Sequence, residues 1–235
     1  MNAILLAAGF GTRLRPITDS VPKCLVQINE RTLLDIWLDF IFKSPLIEKV
    51  LINSHYLHEV VYDHLLNSPH YEKIKLVHEK KLLGTGGTIL KNYNFIGDSA
   101  FFVAHADNLT KFDLEDFINF HKNRKDGILI TMMTFQTPNP ESCGIVEVDK
   151  YGIVTAFHEK VQNPPGNIAN GAIYIFEKEI IDYMKLLNKT EFDISLDIIP
   201  NFLGMIQTYM NHRYHRDIGT LDSLKAAQFD FNDRY

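Results

Sequence analysis

Short apolar runs alternate with segments whose apolar residues recur every three or four positions along the first half of the chain. Apolar runs of four to eight residues are typical of buried strands, and the helical spacing is typical of helices that cover a sheet. The pattern predicts strands over residues 3–8, 49–52, 74–78 and 100–104, and helices over residues 32–42, 57–66 and 88–93. This order predicts an α/β fold, with a Rossmann-like mixed, mostly parallel sheet flanked by helices.

The second half of the chain mixes strands, a hairpin and helices in a less regular order. The pattern predicts strands over 128–135, 172–176 and 209–215, a hairpin from 144–148 and 152–158, and helices over 178–187 and 221–229. The sequence shows no low-complexity stretch, internal repeat or clear linker. We therefore expect one domain over residues 1–235.

Composition and charge narrow the class of protein. The chain has 235 residues, is 46% hydrophobic and carries a formal net charge of −5, which gives no reason to expect nucleic acid or a membrane surface as partner. Its two cysteines, Cys24 and Cys143, are typical of buried thiols in a reducing compartment. The sequence has no signal peptide pattern, and no run approaches the roughly 20 apolar residues of a membrane span. We expect a cytoplasmic protein.

The loop after the first strand, LAAGFGTRLRPITDSVPKCL, carries the densest chemistry. It fails the dinucleotide fingerprint G-x-G-x-x-G, because Leu14 stands where the third glycine belongs, and the chain has no Gly-Lys-Ser/Thr of a P-loop. Gly9 and Gly11 allow a ligand to approach the backbone N–H groups closely. Arg13 offers a planar fork for phosphate oxygens, and Lys23 adds a point charge. The loop therefore predicts a polyphosphate site.

Three later stretches place polar residues at the ends of predicted strands, and a fourth places glycines before a helix. Asp107 in VAHADN follows a buried strand, where ligands collect in α/β sheets, and a carboxylate there suits Mg²⁺ with substrate phosphates. Asp217 in HRDIGT also follows a predicted strand. Glu159 and Lys160 in FHEKV follow another strand. The glycines of LLGTGGTI allow a helix N-terminus to point at a ligand. Taken one at a time, these residues also fit helix caps and a solvated surface pair.

The string AAGFGTRLRPITDSVPKCL closely resembles the signature G-x-G-T-R-L-x-P-x-T-x-x-x-P-K of sugar-phosphate nucleotidyltransferases. These enzymes join a nucleoside triphosphate (NTP) to a sugar 1-phosphate and release pyrophosphate. The resemblance continues in order along nearly the whole chain, with two departures: Ala106 stands before Asp107 where the family usually has glycine, and Cys143 stands where tyrosine is common.

The resemblance implies the nucleotide-diphospho-sugar transferase fold, with residues 1–110 mainly binding the nucleotide and residues 111–235 mainly binding the sugar phosphate. It implies catalytic roles for Arg13, Lys23 and Lys160; Mg²⁺ ligation by Asp107 and Asp217; nucleotide binding by Leu6, Ala8, Gly9, Gly11, Thr12, Leu83, Gly84, Thr85, Gly86 and Gly87; and sugar-phosphate binding by Asn108, Gly144, Glu159, Lys160, Asn170 and Gly171.

The implied reaction is direct in-line attack by the sugar phosphate. Its oxygen is already ionised near pH 7, so positioning and charge neutralisation carry the catalysis. Arg13 is expected to stabilise the pyrophosphate, Lys23 to lie near the transferred phosphate, and Lys160 to anchor the sugar phosphate. Mg²⁺ on Asp107 and Asp217 is expected to bridge the phosphates of the two substrates.

The substrates are less well defined by the sequence. LGTGG resembles guanylyltransferases that act on mannose or D-glycero-D-manno-heptose 1-phosphate, and the short chain favours single-domain members that make capsule or lipopolysaccharide precursors. Alternatives are a uridylyl- or thymidylyltransferase for another hexose 1-phosphate, and a cytidylyltransferase for phosphocholine or a related head group. A non-enzyme alternative is a nucleotide-sensing regulatory subunit. The final segment FDFNDRY either packs on a neighbouring subunit of a homo-oligomer or frays.

Overall fold

The computed structural model describes residues 1–231, so residues 232–235, the end of the FDFNDRY segment, lie outside the described residues. The strands are β1 (Ala3–Leu6), β2 (Gln27–Ile28), β3 (Arg31–Thr32), β4 (Val50–Ser54), β5 (Ile74–His78), β6 (Phe101–His105), β7 (Asn108–Lys111), β8 (Ile130–Gln136), β9 (Gly144–Val148), β10 (Val154–Glu159), β11 (Ile168–Phe176), β12 (Ile206–Met210) and β13 (Tyr214–Asp217). The α-helices are α1 (Leu33–Phe42), α2 (His58–Leu66), α3 (Gly84–Lys91), α4 (Tyr93–Ile96), α5 (Leu114–Lys122), α6 (Glu179–Leu186) and α7 (Leu221–Asp230).

Short helical turns fill several of the connections. The loop after β1 contains the 3₁₀ turns Thr12–Leu14, Ile17–Asp19 and Lys23–Leu25, and a π-helical turn, Ile194–Ile198, follows α6. In the described chain, no helix is both long enough and apolar enough to cross a membrane.

The central sheet of residues 1–231 has nine strands, and its order runs β10-β9-β11-β6-β1-β4-β5, with β8 pairing to β11 and β12. Strand β1 is parallel to both β4 and β6, and β4 is parallel to β5. Strand β11 is antiparallel to β6 and joins the strands of the second half to this parallel block. The predicted fold class, a mixed and mostly parallel sheet with flanking helices, is confirmed.

The parallel strands are apolar on both faces because helices cover both sides of the sheet. Along β1, Ala3 and Leu5 pack into one apolar cluster with Trp37 of α1, while Ile4 and Leu6 pack into the opposite cluster with Ile180 of α6. The continuous apolar runs of the sequence are thus explained by burial on two faces.

Side chains that accept hydrogen bonds fix the starts of three helices. Thr32 accepts from the N–H of Asp35 at the start of α1, Asp113 accepts from Asp116 at the start of α5, and Thr220 forms a capping box with Ser223 at the start of α7. Helix α5 was not predicted from the sequence, although Asp113 followed by apolar residues at helical spacing is a helix-start signal.

The predicted strand over 209–215 is wrong, because this segment is divided between β12 and β13. The Asn211 side chain makes the break: its Oδ1 accepts from the N–H of Arg213 at 2.9 Å, and its Nδ2 donates to the carbonyl of Tyr214 at 2.9 Å. Strand β12 continues the central sheet beside β8, whereas β13 pairs with β7. This second pairing sets Asp217 opposite Asn108.

Candidate functional site

Two neighbouring cavities lie at the carboxyl ends of the parallel strands. The larger has a volume of about 400 Å³ and the smaller about 200 Å³. Thr85, His105, Asp107 and Asp193 line both cavities, so they form the junction between them. Ligands of open α/β sheets collect at this edge, outside the carboxyl ends of the strands.

The structure brings many of the predicted residues to these cavities. The larger cavity is lined by Arg13, Thr85, Asp107, Asn108, Glu159, Lys160, Asn170, Gly171 and Asp217. The smaller cavity is lined by Leu6, Ala8, Gly9, Gly84, Thr85 and Asp107.

Arg13, Asp107 and Asp217 line the larger cavity, and Lys23 contacts both of these carboxylates. The Lys23 ammonium lies 2.5 Å from Asp107 Oδ2 and 3.6 Å from Asp217 Oδ1, while an Arg13 guanidinium nitrogen lies 4.0 Å from Asp217 Oδ2. Lys23 is buried, since only 10% of its side-chain surface is exposed, whereas Arg13 keeps 68% exposed. Lys23 is thus held by the protein, and Arg13 is accessible to a ligand.

The two carboxyls differ in protonation equilibrium. Burial favours the neutral form of Asp107, but the adjacent Lys23 ammonium outweighs burial and holds the pKa of Asp107 below its usual value. Asp217 keeps 56% of its side-chain surface exposed, yet partial desolvation in the cavity wall and the Asp107 charge raise the pKa of Asp217. Each additional cation at this site favours the ionised form of both groups.

The two glycines of the first loop have different roles. Gly11 has a φ of +65°, and a Cβ there would lie 2.9 Å from Thr18 Cγ2 and 3.1 Å from Lys23 Cβ, so glycine lets the loop close over Lys23. A Cβ on Gly9 would meet no heavy atom within 4 Å, and Gly9 lines the smaller cavity. Gly9 is therefore the glycine that leaves backbone open to a ligand.

Three N–H groups at the N-terminus of α3, which the sequence suggested for a ligand, donate to acceptors of the protein itself. The N–H of Thr85 donates to Asp193 Oδ1 at 2.9 Å, and those of Gly86 and Gly87 donate to the carbonyl of Phe192 at 3.0 and 3.2 Å. A Cβ on Gly86 would lie 2.4 Å from the Phe192 ring. The glycines therefore allow the segment around Phe192 to pack on α3, and this segment satisfies the donors in place of a ligand.

Gly144, the first residue of β9, packs against Glu159, which lines the larger cavity. A Cβ on Gly144 would lie 2.6 Å from the Phe157 ring and 2.7 Å from Glu159 Oε2, so the missing side chain leaves room for Glu159. Lys160 has a left-handed φ of 51° and lies 3.3 Å, Nζ to Oε1, from Glu159. With 66% of its side-chain surface exposed, Lys160 extends toward solvent at the cavity mouth.

Asn108 links the metal-ligand candidate Asp107 to the core. Its side-chain Nδ2 donates to the carbonyl of Gly171 at 3.1 Å, and its own carbonyl accepts from the indole N–H of Trp37 at 2.7 Å. The backbone beside Asp107 is therefore held on both sides.

Sequence reasoning missed the buried polar group of the smaller cavity. Glu79 is 2% exposed, and its Oε1 accepts from Asn53 Nδ2 at 3.0 Å and from Thr88 Oγ1 at 2.5 Å. Glu79 directly follows β5 at the same sheet edge as Asp107, so the signal that identified Asp107 was also present here.

Two histidines flank the carboxylates. His105 and His215 both line the larger cavity, and burial lowers the pKa of each, to about 3 for His215. His105 Nε2 and His215 Nδ1 find no hydrogen-bond partner within the described residues. Both rings are therefore neutral near pH 7, and they add no positive charge to the site.

The sequence profile of the nucleotidyl transferase family matches residues 2–234. The chain belongs to the nucleotidyl transferase family. The chain is 32% identical over 193 residues to the D-glycero-α-D-manno-heptose 1-phosphate guanylyltransferase of Campylobacter jejuni, covering 82% of this chain and 83% of that protein. It is 30% identical to the mannose-1-phosphate guanylyltransferase of Mycobacterium tuberculosis over 236 residues, covering 98% of this chain.

The chain spans 64% of the length of the mycobacterial relative and 44% of a bifunctional GlmU protein from Methanococcus aeolicus. A solved structure described as a putative glucose-1-phosphate thymidylyltransferase from Bacillus anthracis superimposes with a TM-score of 0.88 at 22% identity, covering 100% of this chain and 98% of that one. That likeness shows the fold. The names of these proteins differ in nucleotide and sugar, so the family alone leaves both substrates open.

Proposed function

We propose that the chain is a sugar-1-phosphate guanylyltransferase. It transfers a guanylyl group from GTP to a 1-phosphate of the mannose or D-glycero-D-manno-heptose type and releases pyrophosphate. The position of Glu79 in the smaller cavity carries the assignment of GTP. The guanylyltransferase names of the Campylobacter and Mycobacterium relatives support it independently.

The Glu79 carboxylate is suited to guanine. Its Oε1 already accepts two hydrogen bonds, while from the described residues Oε2 accepts one long bond, from the N–H of Leu83 at 3.3 Å. A carboxylate is an acceptor, so it selects bases that present donors. Guanine offers adjacent N–H groups at N1 and N2, uracil and thymine offer one N–H between two carbonyls, and adenine presents an acceptor at N1. A charge-assisted pair with guanine is therefore the strongest option.

The cations of the larger cavity fit an in-line attack. Arg13, exposed at the floor, would stabilise the charge that develops on pyrophosphate. Lys23, buried between two carboxylates, would lie under the transferred phosphoryl group. Lys160, at the mouth, would anchor the attacking sugar phosphate. Since that phosphate is already ionised, the reaction needs no general base.

Asp107 and Asp217 fit a Mg²⁺ ion in their donor chemistry. Both present carboxylate oxygens to the same cation, Lys23, and Mg²⁺ is commonly held by one or two carboxylates plus substrate phosphates and water. Within residues 1–231, no group of three His, Cys, Asp or Glu side chains could hold a metal without substrate. When bound, Mg²⁺ would neutralise phosphate charge.

The linings of the two cavities also support different binding roles for the first and second halves of the chain. The smaller cavity is lined by residues before 110 together with Asp193, and it would receive the base. The larger cavity adds Glu159, Lys160, Asn170 and Asp217 from the second half and would receive the sugar phosphate.

The test is a pyrophosphate-release screen of GTP, ATP, CTP, UTP and dTTP against mannose, manno-heptose and other hexose 1-phosphates and phosphocholine. We expect GTP with a manno-configured 1-phosphate to give the highest kcat/KM. A preference for UTP, dTTP or CTP would overturn the assignment of GTP, and no release with any pair would favour a nucleotide-sensing regulatory subunit.

The role of Glu79 is tested separately with Glu79→Gln, using Glu59→Gln on the surface helix α2 as the matched control. We expect Glu79→Gln to lower kcat/KM for GTP by about 10- to 100-fold, since a hydrogen bond to a charged group contributes about 1.5–3 kcal/mol. An equal loss of kcat/KM with every NTP would show that Glu79 supports the local structure and does not recognise the base.

A further inference from the structure

Four residues line both cavities, and Asp193 is the one nearest the C-terminus of the chain. It precedes the π-helical turn Ile194–Ile198, which lies between α6 and β12. Thr85, His105 and Asp107 come from the first half, so Asp193 brings a carboxylate of the second half to the boundary between the two cavities.

Hydrogen bonds fix the orientation of this carboxylate. Its Oδ1 accepts from the N–H of Thr85 at 2.9 Å and from Thr85 Oγ1 at 3.0 Å. The N–H of Ile194 donates back to Thr85 Oγ1 at 2.8 Å, and the N–H of Asp193 donates to Asp197 Oδ2 at 2.9 Å. Backbone and side chain are thus held together, so Asp193 has little freedom to turn away from the junction.

The second oxygen of Asp193 is the part available to a ligand. Within residues 1–231, Oδ2 accepts no hydrogen bond, and no Lys, Arg or His nitrogen lies within ion-pair distance of this carboxylate. The carboxylate is half-buried and lines both cavities. An acceptor fixed in this way, with one oxygen unused, favours a ligand that donates a hydrogen bond.

We propose that Asp193 is a specificity-determining residue that accepts a hydrogen bond from a sugar hydroxyl at the junction of the two substrates. The proposal rests on the proposed two-substrate function. Phosphate groups are excluded as partners, because two anions repel each other and both are acceptors. Under the proposed function the N–H groups of the base pair with Glu79, so the remaining donors at the junction are hydroxyls, either of the nucleotide ribose or of the sugar 1-phosphate.

The test compares Asp193→Asn with the wild-type chain on substrates that lack single hydroxyls. One arm uses GTP, 2′-deoxy-GTP and 3′-deoxy-GTP; the other uses the sugar 1-phosphate and its monodeoxy analogues. In the wild-type chain, removal of the recognised hydroxyl is expected to lower kcat/KM by about 10- to 100-fold. In Asp193→Asn the ratio for that one analogue is expected to approach 1, and the arm in which this happens identifies the source of the hydroxyl.

The variant Asn keeps an oxygen that can accept from Thr85, so the fold of the segment is preserved. Thr85→Val removes the Oγ1 bonds alone and is expected to lower kcat/KM equally for all analogues. Glu191→Gln, two residues away and paired with Lys81 at 3.0 Å, is the matched control and should change none of the ratios. An equal loss for every analogue in Asp193→Asn, or no loss, would overturn the proposal.

The proposed function and the role of Asp193 are tested by different measurements. If the wild-type chain prefers another NTP or another sugar 1-phosphate, that part of the proposed function is overturned, and the hydroxyl ratios are measured with the pair that is turned over. If no pair is turned over, the same deoxy analogues are compared by their dissociation constants, where a flat series in the wild-type chain would overturn the role of Asp193.

Discussion

Lys23 lies between two carboxylates that come from residues 107 and 217 of the chain. At the scale of single residues, this arrangement concentrates charge of both signs at the proposed phosphate site. Lys23 and Arg13 supply the positive charge, and Asp107 and Asp217 supply the carboxylates that would bind Mg²⁺ together with substrate phosphates under the proposed function. Removal of one member therefore changes the balance of charge more than the packing.

We predict that Asp107→Asn and Asp217→Asn each lower Mg²⁺-dependent pyrophosphate release by about 10²–10³-fold while the chain stays folded, with a lower Tm for Asp107→Asn because it breaks the buried pair with Lys23. Steady-state kinetics over a Mg²⁺ series and a thermal melt measure both quantities. Asp182→Asn, on an α6 side chain that is 76% exposed, is the control. Full turnover by either cleft variant would contradict the assignment.

Gly219 gives a second residue-scale prediction. A Cβ there would lie 2.7 Å from Asp217 Oδ2 and 2.9 Å from an Arg13 guanidinium nitrogen. Gly219→Ala therefore has to displace one or both side chains, and we expect kcat/KM to fall by about 10- to 100-fold with a small change in Tm. Gly166→Ala, whose Cβ would meet no heavy atom within 4 Å, is expected to behave like the wild type. Equal activity of the two variants would show that Arg13 and Asp217 tolerate the shift.

The limits of sequence reasoning at this scale follow from where each signal lies. Arg13, Lys23 and Asp107 stand in contiguous motifs, so local residue types sufficed to propose them. Glu79 has the same local signal but no motif around it. Asp193 is defined by its bond to Thr85, more than 100 positions earlier, and no local pattern predicts that pairing.

Among the elements, α5 is joined to the sheet by a buried polar cluster. His121 on this helix bonds Thr131 Oγ1 through Nδ1 at 2.7 Å and Glu177 Oε1 through Nε2 at 2.9 Å. Burial, together with the Arg124 charge, lowers the pKa of His121 to about 4. The ring is therefore neutral in the folded chain under conditions where an unfolded histidine takes up a proton.

This difference predicts acid sensitivity of the α5 packing. An unfolded His has a pKa of about 6.5, so the unfolded state binds more protons than the folded state between pH 6.5 and 4, and stability falls as pH falls through this window. We expect the free energy of unfolding to fall by up to about 3 kcal/mol more in the wild type than in His121→Gln. Denaturant titrations at several pH values measure it, with exposed His212→Gln as the control. Parallel curves for wild type and His121→Gln would contradict the prediction.

The elements that sequence patterns predicted well are those whose apolar periodicity is set by burial in the central sheet. Strands β4, β5 and β6 and helices α1 and α6 all overlap their predicted ranges. The predicted strand over 209–215 failed because its residues belong to two different sheets, and the division depends on Asn211 bonds that periodicity does not report. The π-helical turn at Ile194–Ile198 likewise depends on its contacts with α3.

For the whole molecule, the order of strands decides how the site is assembled. Parallel strands from the first half bring Leu6, Asn53 and Asp107 to one edge, and β11 attaches the second half beside β6. The larger cavity then draws residues from position 13 to position 217. The motif order along the chain predicts a two-substrate cleft, and many of the motif residues line the two neighbouring cavities.

The hydrogen bond from Trp37 to the carbonyl of Asn108 makes tryptophan fluorescence a probe of the backbone beside Asp107. Trp37 is the only tryptophan in the sequence, it is 3% exposed, and its partner lies next to Asp107. We predict that its fluorescence intensity or emission wavelength changes when GTP or a sugar 1-phosphate binds. The Trp37→Phe variant supplies the background and corrects for light absorbed by the nucleotide. An emission spectrum that stays constant through saturation, in a chain shown by calorimetry to bind, would mean that Asn108 does not move. With a responsive signal, ligand affinity and binding order are measurable in the unlabelled protein, in real time.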